Sequence, residues 1–196
     1  SLRKGDQGSP AGDSREASRR LMHFAVSDYL VDVVENALQA GSSHTEVAVR
    51  ELGTELSVDV RDTGHGMSEA ELEGALNPFF SGREKHPNRR VGLGLPFLKQ
   101  LVDELGGDLS VGSNPGQGTS LRFTIPMSHV DAPPMGDLVG AFVDMLCYDG
   151  AYELVIHRER SGTAGENAYT LRRSELQEAL GELETAASLR LLRQYI

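Results

Sequence analysis

The 196-residue sequence has a single cysteine, Cys147. One thiol excludes an internal disulfide framework and suits a reducing compartment. No apolar run approaches the roughly 20 residues that a membrane-spanning helix needs. The opening stretch SLRKGDQGSPAGDSREASRR has no apolar core of the kind a secretion signal carries. Rich in Gly, Ser, Asp and Arg, it reads as a flexible N-terminal segment over residues 1–20. Positive charge is also scarce: 19 Lys and Arg stand against 29 Asp and Glu, a formal net charge of −10. A chain this acidic is a poor partner for nucleic acid or an anionic membrane surface. His23, His44, His129 and His157 show no metal-ligand spacing, and no fixed-period repeat is visible. Hydrophobic residues at 39% and charged residues at 24% fit a globular protein, expected to be cytoplasmic.

What the chain does contain is periodic. DYLVDVVENALQAG carries an apolar stripe at Leu30, Val33, Val34, Ala37 and Leu38, with Asp32, Glu35, Asn36 and Gln39 on the opposite helical face and Gly41 as its stop. TEVAVREL and ELSVDVRD alternate with period two around Gly53-Thr54 and predict a β-hairpin. SEAELEGAL opens with Ser68 and has Glu71 three residues on, a capping box. NPFFSGREKHPNRR has no period and reads as a loop. LPFLKQLVDELGG predicts a second amphipathic helix, and DLSVGSNPGQGTSLRFTIP a second hairpin. Pro133-Pro134 then punctuates the chain. Beyond it, LVGAFVDMLCY predicts a helix, AYELVIHRER and NAYTLR two paired strands, and the Leu-rich end from Arg173 more helix. These last 60 or so residues are too few for a confident core of their own and are expected to pack on the preceding domain.

Four glycine-bearing segments need a joint explanation: Gly64 and Gly66 in DTGHGM, Gly92 and Gly94 in RRVGLGLPF, Gly116 and Gly118 in PGQGTS, and the looser NPFFSGR. Paired glycines let backbone come close to a ligand. Gly92-x-Gly94 lies just ahead of a helix, where free N–H groups and the helix dipole favour phosphate. It lacks the Lys-Ser/Thr ending of a P-loop and the third glycine of a dinucleotide fingerprint. Any one pair alone is compatible with an ordinary turn or cap.

Taken in order, the segments resemble the ATP-binding fold shared by DNA gyrase B, Hsp90, MutL and sensor histidine kinases. VDVVENALQAG looks like the family's asparagine box, DTGHGM the first glycine box, NPFF the phenylalanine box, VGLGL the second glycine box and GQGTS the third. The resemblance covers about Asp28 to Pro126. It implies an α/β (α+β) two-layer sandwich, the Bergerat fold, with a mixed sheet under helices. The ATPase domain would span residues 21–130 and a small C-terminal α/β extension residues 131–196. ATP and Mg²⁺ are the implied cofactors. Asn36 would give an amide oxygen to Mg²⁺, an ion that takes few protein ligands. Asp62 would accept a hydrogen bond from the exocyclic amino group of adenine, with Gly64 and Gly66 leaving room for the base. Met67, Phe80, Gly92, Leu93, Gly94, Leu95 and Thr119 complete the implied nucleotide site. Arg83, with Lys85, Arg89 and Arg90 in a loop expected to close over the nucleotide, would hold phosphates. Asp32, one turn before Asn36, takes the place of the glutamate that serves as general base in the MutL and gyrase branches. It is shorter by one methylene, which leaves Glu35 as an alternative.

A looser resemblance, carried by ENALQAGS, RRVGLGLPF and SHVDAPPMGD, is to small stand-alone ATPase-domain proteins of bacterial iron-hydrogenase gene clusters. RRLMHFAVSD lacks the acidic residue and proline that follow a sensor kinase's phosphoacceptor histidine, so His23 is not expected to fill that role. Three functions stay open. The chain could be a kinase module that phosphorylates a separate, unidentified protein partner, an ATP-driven switch with slow hydrolysis, or a nucleotide sensor without turnover. An apolar surface on the extension would suggest a homodimer.

Overall fold

The computed structural model describes residues 25–77, 94–161 and 167–196. Within them run α1 (Val26–Gln39), β1 (His44–Leu52), β2 (Glu55–Asp62), α2 (Glu69–Leu76), α3 (Gly94–Glu104), β3 (Asp108–Asn114), β4 (Gly118–Pro126), α4 (Leu138–Leu146), β5 (Glu153–Ser161), β6 (Asn167–Arg172), α5 (Arg173–Leu180) and α6 (Ala186–Tyr195). The six strands form one sheet in the order β3-β4-β2-β1-β5-β6. Every pairing is antiparallel except β1 with β5, which is parallel and aligns Val47 with Ile156. The result is a mixed α/β sheet with helices on one face. Both hairpins expected from the alternating segments are present, in the registers Val49↔Val58 and Val111↔Leu121.

Alternation decides which face is dry. Val47, Val49, Leu56, Val58, Val60, Leu121, Phe123 and Ile125 point to the helices and are nearly or wholly buried. They meet Leu30 and Val34 of α1, Leu98 and Val102 of α3, and Phe142 and Leu146 of α4 in one core. The strands after residue 131 continue this sheet, and Leu154, Ile156 and Leu171 join the same core. The other face carries charge. Arg50 pairs with Asp59 at 2.7 Å, and His157 Nε2 lies 2.9 Å from Glu46 Oε1. A broad depression of about 780 Å³ opens there over Ala48 and Ser57.

The start of α1 shows how the extension grips the domain. Ala25 has no side chain that can cap a helix, although its own N–H donates to Asp28 Oδ2 at 2.8 Å. The orphan N–H groups of Val26 and Ser27 instead donate to the carbonyls of Pro134 and Met135, at 2.9 and 3.1 Å. The Pro-Pro segment read from sequence as punctuation is therefore a strap across the N-terminus of α1. At the far end, Arg173 is buried at the start of α5. It donates to the carbonyls of Leu146 and Tyr152 at 2.9 and 3.0 Å, with its guanidinium 4.1 Å from the Tyr152 ring centre.

Candidate functional site

Asp62 ends β2. Leu56, Val58 and Val60 fix the alternation, so its carboxylate lies on the helix side, half-buried. Its Oδ1 accepts the Gly64 N–H at 2.7 Å, an Asx turn that holds the carboxylate still. No second hydrogen bond reaches this carboxylate among the described residues, so the turn leaves Oδ2 able to accept from a ligand. The backbone that follows is anchored by a hydroxyl cluster. Thr63 N–H donates to the buried Ser42 Oγ at 3.0 Å and to His44 O at 3.1 Å, and Thr63 Oγ1 accepts the His44 N–H at 3.1 Å. His65 N–H donates to Ala40 O at 3.0 Å, which ties DTGHGM to the end of α1.

The glycines interlock these segments. A Cβ on Gly66, at φ +66°, would stand 1.9 Å from Asn114 O, and one on Gly118, at φ +77°, would stand 1.9 Å from Asp62 O. Gly116 N–H donates to His65 O at 2.7 Å. The first and third glycine segments thus press backbone against backbone, a closeness only glycine allows. Sequence reasoning gave Gly64 and Gly66 the task of clearing room for a base. The space beside them is filled by Ala40, Asp62 and Asn114, so their first duty is packing. Met67 N–H donates to Ser113 Oγ at 2.8 Å, and that oxygen is 2.9 Å from Thr119 Oγ1.

On the helix layer, Asn36 Nδ2 donates to Asp32 Oδ2 at 3.0 Å. A carboxylate only accepts, so the amide nitrogen must face it and the Asn36 oxygen is turned away, available to a cation. Asp32 is half-buried, and burial raises its carboxyl pKa above the ordinary value, an effect the Asn36 hydrogen bond partly offsets. Gly94 opens the described part of α3 against this pair: a Cβ there would stand 1.9 Å from Asp32 Oδ2. Leu95 follows, half-buried against the core. Among the described residues no group of three or more His, Cys, Asp or Glu side chains is placed to hold a metal. A cation here would therefore rest on Asn36 and on its ligand's own oxygens, which suits Mg²⁺.

Of the residues expected from sequence, the fold brings Asp32, Asn36 and Gly94 together on the helix layer. Asp62, Gly64, Gly66, Met67 and Thr119 meet at the strand ends. Phe80, Arg83, Gly92 and Leu93 lie outside the described residues. Ser42 and Ser113 were not foreseen. Ser113 could have been found from the hairpin register, which sets it directly opposite Thr119. The depression over Ala48 lies on the sheet face opposite the described helices, away from all of these groups, and its charged side chains largely pair with one another.

With this geometry in hand, comparison with known proteins gives the family. The model for histidine kinase-, DNA gyrase B- and HSP90-like ATPases matches residues 25–129, just over half of the 196. The chain belongs to this family and carries a histidine-kinase-like, ATP-binding domain. The cell-division control histidine kinase PdhS of Brucella canis is 33% identical over 119 residues, which cover 54% of this chain and 12% of that protein. The non-motile and phage-resistance protein of Caulobacter vibrioides is 33% identical over 125 residues, covering 60% of this chain and 15% of that protein. The match thus spans a small fraction of these longer relatives. A crystal structure of the N-terminal domain of a DNA repair protein overlays 90% of this chain and 61% of its own, with a TM-score of 0.58 at 13% identity, a likeness of fold. No described helix is long and apolar enough to cross a membrane.

Proposed function

We propose that the chain binds Mg-ATP between α1, α3 and the strand ends, and acts as a regulatory kinase module on a separate protein partner. The observation that carries this reading is the contact of Gly94 with the Asp32–Asn36 pair. It sets the start of α3, whose N–H groups suit phosphate, beside a carboxylate and an outward-turned amide oxygen. Asp62 Oδ2 receives the amino group of adenine, and Met67 and Thr119 border the base. Asn36 would hold Mg²⁺ through its amide oxygen, and the ion would supply neutralisation of phosphate charge. Asp32 accepts the proton of the attacking hydroxyl or imidazole of the partner. Its raised pKa makes it a stronger base than an exposed aspartate. Residues 131–196 serve as a buttress for α1.

A second reading, slow hydrolysis that resets an ATP-driven switch, is favoured by the same basic carboxylate one turn from Asn36, since water can replace the partner as proton donor. Purified protein incubated with γ-labelled ATP, alone and with lysate of a host carrying the gene, separates the two. Label on a second protein supports transfer, and free phosphate alone supports the switch. Absence of ATP binding by calorimetry would overturn both.

A further inference from the structure

We infer that Ser113 is a positioning residue that turns the Thr119 hydroxyl into an obligate acceptor, so that the site selects a nucleobase carrying an amino group where guanine carries oxygen. The inference rests on the nucleotide-binding reading above and deepens it. Ser113, Thr119 and Asp62 sit on three adjacent strands. Ser113 pairs with Thr119 across β3 and β4, and the β2–β4 ladder ends with Arg61 opposite Ser120, one residue short of setting Asp62 beside Thr119. All three side chains fall on the helix side, by alternation with the buried Leu121 and Val60 and the partly buried Val111. The backbone contact of Gly118 with Asp62 locks the two strand ends together.

The argument is an inventory of protons. Ser113 Oγ has two lone pairs and one proton. It accepts the Met67 N–H at 2.8 Å, lies 3.0 Å from Gly118 O and lies 2.9 Å from Thr119 Oγ1. A carbonyl cannot donate, so the Ser113 proton goes to Gly118 O. The one remaining lone pair can then only accept, and it takes the proton of Thr119. All capacities of Ser113 are used, and Thr119 Oγ1 is left with lone pairs alone to offer. On the adjacent strand end, one position beyond the Arg61–Ser120 pair, the Asp62 carboxylate is also an acceptor. Two acceptors on adjacent strand ends match the two N–H bonds of an exocyclic amine and oppose a carbonyl oxygen, because an acceptor that a bound base covers without offering it a proton is costly.

The test is calorimetric titration of the full chain with Mg-ATP and Mg-GTP, repeated on Ser113→Ala, Ser113→Thr, Thr119→Val and Ser113→Ala/Thr119→Val. Once Ser113 is lost, the Thr119 hydroxyl is able to rotate and donate to the guanine oxygen. Ser113→Ala is therefore expected to narrow the ATP-over-GTP preference by roughly tenfold, mainly through better GTP binding. Ser113→Thr, which keeps the hydroxyl, restores the parent ratio. Adding Ser113→Ala to Thr119→Val changes the ratio no further. A structural role alone would weaken both nucleotides together. An unchanged ratio in Ser113→Ala overturns the inference while leaving ATP binding intact, whereas failure of the parent chain to bind ATP overturns the underlying reading. Should Ser113→Ala not fold, Thr119→Val decides alone: an undiminished preference for ATP refutes the proposal.

Discussion

Gly118→Ala should be far more damaging than Gly116→Ala, though the two glycines sit two residues apart in one turn. Both have the left-handed backbone, φ +77° and +76°. An alanine at either position therefore costs about 1–2 kcal/mol in backbone strain. At Gly116 nothing lies within 4 Å of the added Cβ, so the cost ends there. At Gly118 the Cβ would stand 1.9 Å from Asp62 O, 2.8 Å from Asp62 C and 3.0 Å from Thr63 Cα. These are backbone atoms at the end of the paired strand β2 and just beyond it, and no rotamer change relieves the clash. Overpacking of this kind adds about 1–3 kcal/mol, for a total of about 2–5 kcal/mol. At about 2–4 °C per kcal/mol for a chain of this size, Tm should fall by about 4–20 °C in Gly118→Ala and by about 2–8 °C in Gly116→Ala.

The two substitutions should also differ at the ligand. Strand β2 absorbs the clash at Gly118 by moving the Asp62 backbone, and the carboxylate moves with it. If Asp62 reads the base, losing that charged hydrogen bond lowers ATP affinity by roughly 10- to 100-fold. Gly116→Ala keeps its N–H bond to His65 O and should bind ATP like the parent. Differential scanning calorimetry and ATP titration on both variants give the two readouts. Equal losses of Tm would refute the close approach of the glycine segment to Asp62. Equal ATP affinities, with unequal Tm, would refute the role of Asp62.

Three further expectations concern single side chains. Asp32→Asn keeps an acceptor for the Asn36 amide and should leave Mg-ATP affinity within a few fold while lowering turnover by roughly 10²–10⁴; Asp32→Ala frees the amide and should weaken binding as well, so identical affinities for the two would count against a held amide. Burial raises the Asp32 pKa in the folded chain, so its favourable contribution is full below the unfolded pKa and is lost as pH rises through the folded one. Asp32→Asn should accordingly raise Tm at neutral pH, with the gain shrinking as pH falls through the raised folded pKa and gone below about pH 4; a pH-independent gain in thermal melts would contradict this. Arg173→Ala leaves the carbonyls of Leu146, Tyr152 and Gly150 without their donor and removes the stacking on Tyr152, which should cost about 2–4 kcal/mol in denaturant unfolding. A loss under about 0.5 kcal/mol, the scale of an ordinary surface substitution, would mean that the buried arginine is not a staple.

Local pattern carried most of the elements, and the reason is physical. The stripe from Leu30 to Leu38 has to be buried for α1 to be stable, and the alternation of TEVAVREL and ELSVDVRD has only one register that puts every valine inside. Ser68 and Glu71 make their capping box from residues three apart, which needs no tertiary contact: Ser68 N–H donates to Glu71 Oε2 at 2.9 Å. What depends on distant partners was not legible in the same way. The parallel join of β5 to β1 is set by a pairing more than 100 residues apart. Its trace was present in LVI at Leu154–Ile156, three consecutive apolar residues, all of them 2% exposed or less. Such a run breaks the strict alternation of the two hairpins and fits a strand held between two neighbours, here β1 and β6.

The site shows where residue type is legible and its cause is not. A missing Cβ serves a ligand and a neighbouring backbone equally well, so the spacing of Gly64 and Gly66 could not say which lay there; Ala40 and Asn114 do. An Asx turn at Asp62 is, taken alone, a rival to base recognition. In three dimensions the two are compatible, because the turn engages Oδ1 through the Gly64 N–H and leaves the other oxygen to accept. The strap is the same lesson in reverse. A helix that opens at Ala25 without a capping side chain has N–H groups to satisfy, and the chain supplies Pro134 O and Met135 O, each 108 residues beyond the N–H it accepts. The absence of a cap was readable, whereas its remedy required the fold. Because that remedy comes from the extension, the helix that bears Asp32 and Asn36 takes its footing from residues outside the five motifs that identify the family.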